Sequence, residues 1–351
     1  MRDITIAIHH REASYSHKWI EYCKMHGINY KLVNCYANDI IGQLQDCDAL
    51  MWNWSHSDYR AGLFAKQLVQ ALDRDGFRVF PDAKTSWFFD DKVGQKYLLE
   101  KINAPLVKSY VFYDKKSALE WIEATTFPKV FKLRNGAGAH NVQLIKTKSK
   151  AKKYIKQAFS CGFVANRRTA VLMDRIWHFK RDKSLKSFFN ISKGLYRYLF
   201  PHKKNTLLPV EKNYIYAQDF IPNCDHDIRV FVIGNRAVTK KRYVREGDFR
   251  ASGSGKFTFD IEAIDRKCVE IAFDIVDKLG VQSLAFDFVK DVDGYKIVEI
   301  CYAASAKGFP ECPGYWKRDL TWVKTPLRVE FFMIEDMINQ LKKDREESIG
   351  L

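Results

Sequence analysis

The sequence predicts an α/β protein in two parts, a small parallel-sheet domain followed by a larger mixed one. Two observations predict the parts. Over residues 1 to about 85, short apolar runs alternate with helical stretches, the pattern of a parallel sheet with helices on its faces. From Asp90 the texture changes to a helix, scattered strand runs, a strongly basic segment and then paired strands around polar turns. A third observation bounds the class. Of the 351 residues, 46% are hydrophobic and 14% aromatic, which supports packed cores and excludes a disordered chain.

The elements follow in order. "ITIAIH", "INYKLVN", "DALMWNW" and "FRVFPD" predict four strands, with an amphipathic helix around Tyr15–Met25 and a second, "AGLFAKQLVQALDRDG", ending at Gly76. No GxGxxG occurs there, so this Rossmann-like unit is not read as a dinucleotide site. Next come the helix "DDKVGQKYLLEKINAP", the strand "KSYVFY", the helix "KKSALEWIEA" and the strand "FPKVFKL". Beyond the basic segment lie "NYIYAQDFI", "DIRVFVIGNRAVTKKRYV", a helix through "FDIEAIDRKCVEIAFDIVDKLG", a strand pair around Asp287 and Glu299, and a last helix to about Lys343. The expected domains are 1–87 and 88–345, with an insertion at about 146–212 and a charged tail at 346–351.

The net charge of +16 belongs to one place. Between Lys146 and Lys212 there are 18 basic residues against Asp174, Asp182 and Glu211, whereas the rest of the chain is nearly neutral. The eight cysteines form no CxxC pair, which argues for reduced thiols rather than a zinc site or a disulfide scaffold. No run is long and apolar enough to span a bilayer, and no signal peptide is visible, so the expected location is the cytoplasm.

Three stretches could carry chemistry. In "SLAFDFVKDVDGYKIVEICYA" two strand runs flank an Asp-Gly turn, and six residues separate both Asp287 and Glu299 from Asp293. Two carboxylates facing each other repel. Either a divalent cation such as Mg²⁺ lies between them, or both are solvated on an exposed face. In "FPKVFKLRNGAGAHNVQLI", Lys132 at a strand end precedes a loop with Gly136 and Gly138, small enough for backbone N–H groups to reach phosphate. An ordinary turn explains that loop equally well. In "NYIYAQDFIPNCDHDIRVFVIGNRAV", Asp227 and Arg229 alternate onto one strand face, and "KKRYVREGDFRASG" brings Lys240, Lys241, Arg242, Arg245 and Arg250 near a loop. Arginine suits carboxylate and phosphate, although single arginines are mostly surface ion pairs.

Taken in order, Lys92, Lys132, "AQDFI", "CDHDIR", "EGDFR", "FDFV" and "VEI" resemble the ATP-grasp ligases, most of all the glutathione-synthetase-like and RimK-type branch. The likeness covers about residues 88 to 340, with 1 to 85 as the preceding α/β domain. It implies ATP and Mg²⁺ as cofactors. Lys92 and Lys132 would contact phosphates, with Asp219 and Phe220 at the adenine hinge and Asp227 close to the nucleotide or acceptor. Arg229 would hold a substrate carboxylate and Arg250 an acyl phosphate, while Asp287 and Glu299 would hold the metal. Cys301 stands where the family has an Asn ligand, and a thiol suits Mg²⁺ poorly. The implied reaction joins a carboxylate and an amine, small or borne on a glycan or peptide such as a surface-polysaccharide uronic acid. The rivals are a phosphotransferase on the same fold and a nucleotide-binding protein without strong catalysis.

The basic segment interleaves Lys and Arg with Trp177, Phe179, Phe188, Phe189, Tyr196, Tyr198, Leu199 and Phe200. It reads as a lid insertion whose aromatics pack on the body, as a surface for anionic membrane, or as a nucleic-acid contact. Membrane ranks above nucleic acid, because the aromatics cluster with Leu and Ile and no nucleic-acid-binding motif is present. Neither substrate identity nor oligomeric state is legible.

Overall fold

The structure is a computed structural model, and it describes residues 3–349 except 13, 137–140, 165–171, 174, 178, 181–182, 201–208, 246–247, 305–308, 310–311 and 327. The N-terminal unit runs β1 (Thr5–His9), α1 (Ser16–His26), β2 (Asn29–Val33), α2 (Ile40–Gln43), β3 (Ala49–Met51), α3 (Tyr59–Arg74) and β4 (Arg78–Phe80). Its four strands are parallel in the order β2-β1-β3-β4, as the alternating pattern predicts. α1 and α3 stop where expected, each followed by a glycine with positive φ, Gly27 and Gly76.

The rest of the chain forms two further large sheets. α4 (Ala83–Ser86) and α5 (Lys92–Lys101) lead into β5 (Ser109–Phe112), α6 (Lys115–Ala124), β6 (Lys129–Lys132), β7 (Val142–Ile145) and α7 (Lys148–Ala158). β8 (Phe163–Val164) and β9 (Val210–Glu211) pair across the insertion that holds α8 (Leu185–Leu199), and β10 (Ile215–Asp219) completes an antiparallel sheet β5-β10-β6-β7. Ala118, Ile122, Ile155 and Ala158 of α6 and α7 pack with Phe131 and Ala217 to give this sheet its core.

The largest sheet is seven-stranded. It holds β11 (His226–Ile233), β12 (Arg236–Tyr243), β13 (Phe257–Thr258), β14 (Ser283–Asp291), β15 (Gly294–Cys301), β16 (Gly314–Lys317) and β17 (Trp322–Lys324), with α9 (Arg266–Leu279) and α10 (Val329–Ile349) beside it. One face carries Ile228, Val230, Phe286, Phe288 and Ile297, which α9 covers with Val269, Ala272 and Phe273. α9 starts at Arg266 because Asp265 caps it, later than the predicted start. α10 continues to Ile349, so residues 346–349 are helix and not a tail.

The N-terminal unit is packed firmly against this sheet. Ile6, Ile8, Trp19 and Phe80 share one buried cluster with Phe231, Ile233, Val238, Met333 and Ile334. The Tyr15 hydroxyl donates to the Ala304 carbonyl, and Trp19 Nε1 donates to the Glu330 carbonyl at 3.1 Å. The ends of β1, β3, β14 and β15 therefore open onto one cleft.

Candidate active site

The hairpin β14–β15 closes on the two-residue turn Val292-Asp293, since Asp291 pairs with Gly294, whose φ is 117°. From that turn, Lys290 pairs with Tyr295, Val289 with Lys296 and Phe288 with Ile297. Continued without interruption, this register would set Asp287 opposite Val298 and turn Glu299 to the other face. A β-bulge absorbs Val298, so Asp287 pairs with Glu299 and Ala285 with Cys301. The Val298 carbonyl, freed from the ladder, accepts from Lys132 Nζ and from Gln218 Nε2, both at 3.3 Å.

Four strands then present one charged row in direct register: Lys240 on β12, Arg229 on β11, Asp287 on β14 and Glu299 on β15. Arg229 grips Asp287 bidentately, Nε and Nη2 each donating at 2.7 Å. Arg242 grips Asp227 in the same way at 2.6 Å and reaches Asp287 at 2.9 Å. Lys92 Nζ lies 3.1 Å from Glu299 Oε1 and donates to the Gly136 carbonyl at 2.9 Å. The repulsion expected between the two acids is thus met by protein cations.

Electrostatics leaves the row anion-seeking. Burial opposes charge on Asp287, but Arg229 and Arg242 outweigh it and hold its carboxyl well below the usual range. Burial also opposes charge on Lys92, yet Glu299 and Asp90 raise its pKa. On Lys132 burial outweighs the pull of Glu299 and, helped by Lys92, pushes its pKa down to about 8. Lys240 is also lowered to about 8, by burial and then by Arg229 and Arg242. Lys132, buried and near neutrality, is suited to receive an anion.

Two cavities meet at this row. One, about 130 Å³, is an apolar slot between the antiparallel and the large sheets, walled by Val130, Phe220, Ile221, Val244, Phe249 and Val298. The other, about 460 Å³, is polar and holds Lys92, Arg229 and Asp90 together with Arg11 and His56 from the N-terminal unit. Asp287, Glu299, Val142 and Ser252 line both. A flat base in the slot and a polyphosphate across the row would fit such a pair.

The predicted residues fall out as follows. Lys92, Gly136, Arg229, Asp287, Glu299 and Cys301 line the larger cavity. Lys132, Asp219, Phe220, Asp227 and Arg250 line the slot. Lys92 sits at the start of α5 because Asp91 caps it, Oδ1 accepting from the N–H groups of Val93 and Gly94. Asp219 ends β10 with its carboxylate 2.6 Å from Lys129 Nζ, and Phe220 meets Phe249 edge-on at 5.8 Å. Arg250 is folded onto Asp248, with Nη2 at 2.6 Å. The expected use of the Gly136 N–H does not match the geometry: it donates to Asp90 Oδ1 at 2.7 Å and not into the cavity. The site at Gly138 lies outside the described residues.

Sequence reasoning undervalued two groups. Arg242 is buried and bridges Asp227 and Asp287. The signal was its alternation with Lys240 along β12, hidden by the run of basic residues. Gln218 is buried at the slot, with Nε2 bonded to Ser109 Oγ and Tyr216 Oη at 3.0 Å and Oε1 left without a partner among the described residues. An orphaned acceptor beside an apolar slot suits an amino-bearing base.

The donor set also fits a hard cation. Asp287 and Glu299 offer two carboxylates in register, which suffices for Mg²⁺ when phosphate oxygens and water complete its octahedron. Burial pushes the Cys301 thiol up to about 12, and a thiol is a poor match for Mg²⁺. Among the described residues no cluster of three or more His, Cys, Asp or Glu could hold an ion alone.

Comparisons with known proteins bear on the fold. Residues 185–313 match the RimK-like ATP-grasp domain. The alpha-aminoadipate–LysW ligase LysX of Saccharolobus solfataricus is 23% identical over 279 residues, covering 78% of this chain and 83% of the relative. The RimK domain ATP-grasp protein of Sphaerobacter thermophilus superposes with a TM-score of 0.52 at 15% identity, covering 84% of this chain and 90% of that one. The D-cycloserine synthetase DcsG superposes with a TM-score of 0.58 at 11% identity, covering 96% and 99%. The antiparallel sheet facing the larger sheet across a shared cleft is therefore the ATP-grasp fold, and residues 185–313 carry the likeness to the RimK-like domain.

Proposed function

We propose that the chain is an ATP- and Mg²⁺-dependent carboxylate–amine ligase that forms an amide through an acyl phosphate. The observation that carries this reading is the row Lys240–Arg229–Asp287–Glu299, with Lys92 and Lys132 beside it, where the slot opens into the polar cleft. Phe220, Phe249 and Gln218 would hold the base in the slot, and Lys132 and Lys92 the phosphates. Asp287 and Glu299 would hold Mg²⁺, which when bound neutralises charge on the transferring phosphoryl group. Arg229, already oriented by Asp287, would place the substrate carboxylate in the cleft.

The carboxylate oxygen attacks Pγ, the Pγ–O bond to ADP breaks, and an acyl phosphate forms. The amine nitrogen then attacks the acyl carbon, inorganic phosphate leaves, and the nitrogen loses a proton. Both steps concentrate negative charge where the cations converge, which is the electrostatic need they serve. Arg250, on the loop that lines the slot, would steady the acyl phosphate.

The acceptor we have in mind is a carboxylated glycan, such as a surface-polysaccharide uronic acid, or a peptide. α8 supports a membrane setting for it. Trp177 meets the Arg245 guanidinium at 4.6 Å, as a lid packed on the body would, but on α8 Phe188, Phe189, Leu195 and Leu199 are 54%, 61%, 51% and 60% exposed. Lys193 and Arg197 follow the same helix, and no acid occurs between Lys183 and Val210. Such a face suits the surface of an anionic bilayer. No helix among the described residues is long and apolar enough to cross a membrane.

The test is ATP turnover with pooled amines and carboxylates, read as ADP, phosphate and product mass. A ligase releases ADP and inorganic phosphate with an amide. A phosphotransferase releases ADP with a phosphorylated product and no free phosphate, and that result would displace the reading.

A further inference from the structure

The larger cavity extends beyond the groups the reaction needs. Its far wall comes from the N-terminal sheet: Arg11, two residues after β1, and Asn53, Trp54, Ser55 and His56, which follow β3. In the order β2-β1-β3-β4 the chain turns one way from β1 and the other way to β3. The crevice at the carboxyl ends of those two strands is the topological switch point where open α/β sheets bind ligands.

Arg11 is held in place and chemically unspent. Its N–H donates to Ser16 Oγ at 3.1 Å, and its carbonyl accepts from Ser14 Oγ at 2.7 Å, which anchors its main chain. The guanidinium contacts are poor by comparison. Nη1 donates to the Glu12 carbonyl at 3.1 Å and Nη2 to the Asn53 carbonyl at 3.4 Å, while Nε is buried with no partner among the described residues. A fork of donors bound only to main-chain carbonyls, on the wall of a cavity, is matched to a planar anion.

We propose that Arg11 is a specificity residue that binds a second anionic group, a carboxylate, on the substrate whose reacting end lies at Arg229, Asp287 and Glu299. The substrate class is then a small molecule or chain end with two carboxylates, one activated and one read by the N-terminal unit. This rests on the ligase reading, because it describes one of that enzyme's substrates.

The experiment compares glutarate and adipate with butyrate as ligands of the Mg-ADP-loaded protein, by calorimetry, for wild type, Arg11→Gln and Arg11→Lys. Wild type should bind the dicarboxylates at least 10-fold more tightly than butyrate. Arg11→Gln should lose about 10- to 100-fold of that affinity, the loss of a charge-assisted contact, with ADP affinity unchanged, and Arg11→Lys should recover part of it. Equal binding of dicarboxylate and butyrate, or undiminished binding by Arg11→Gln, would overturn the proposal. So would parallel loss of ADP in both variants, because Arg11 would then act only by holding the fold. Once substrates are found, Arg11→Gln should raise KM for the dicarboxylate and leave kcat and the KM for ATP alone. Absence of turnover with every pool would refute the ligase reading while leaving the dicarboxylate result standing.

Discussion

Replacing Lys132 with Met should stabilise the protein and abolish nucleotide binding. Lys132 is 7% exposed, and its pKa of about 8 lies below the ordinary 10.5. The unfolded chain therefore holds its proton more tightly than the folded one. Each unit of difference is worth about 1.4 kcal/mol, so the charged lysine costs the fold about 3 kcal/mol at pH 7. That cost is full below pH 8 and is relieved as pH rises from about 8 towards 10.5. Methionine keeps the aliphatic stem, removes the charge, and gives up only the long 3.3 Å contact with the Val298 carbonyl. Urea denaturation at pH 7 should place the variant about 2–3 kcal/mol above wild type, with the gap narrowing by pH 10. Calorimetry with Mg-ATP should show no binding to the variant. A variant less stable than wild type at pH 7, or one that still binds Mg-ATP with full affinity, would refute the assignment of Lys132 as a desolvated phosphate ligand.

Other outcomes follow from the same row. Asp287→Asn leaves Arg229 and Arg242 buried against a neutral amide, so it should destabilise by about 3–5 kcal/mol in denaturation and abolish turnover. Glu299→Gln removes the main partner of the buried Lys92, so it should abolish turnover and destabilise by about 1–3 kcal/mol. Mg-ATP binding at pH 8 should take up about half a proton, as phosphate raises Lys132 from about 8, and calorimetry in buffers of different ionisation enthalpy would read it; at pH 6 the uptake should vanish. Phe188→Ser with Phe189→Ser should abolish co-sedimentation with anionic vesicles at low salt and leave ATP turnover unchanged. Wild type that fails to sediment at low salt ends the membrane reading, and preferential binding to RNA would replace it.

Much of this site was legible because it rests on local patterns. Strand periodicity set Asp227 with Arg229 on one face, and the turn chemistry of "DVDGY" located the hairpin. The opposition of Asp287 and Glu299 was reached by counting from the wrong centre: the tip is Val292-Asp293, and the bulge at Val298 restores the pairing. No residue type announces that bulge, which packing and the contacts to Lys132 and Gln218 decide. Arg242 was hidden because a basic run reads as solvated surface until the neighbouring strand supplies Asp227. Arg11 was illegible for a different reason. Its place depends on the switch point of one sheet meeting the face of another, and a cavity shared by residues almost 300 positions apart leaves no trace in a single sequence.

The central claim is that a carboxylate is activated as an acyl phosphate in the cleft above Asp287 and Glu299. Once a turning-over substrate pair is found, its carboxylate should be labelled with ¹⁸O and the released inorganic phosphate analysed by mass. The account predicts one ¹⁸O per phosphate, carried across when the amine displaces it. Unlabelled phosphate accompanying amide formation would contradict it.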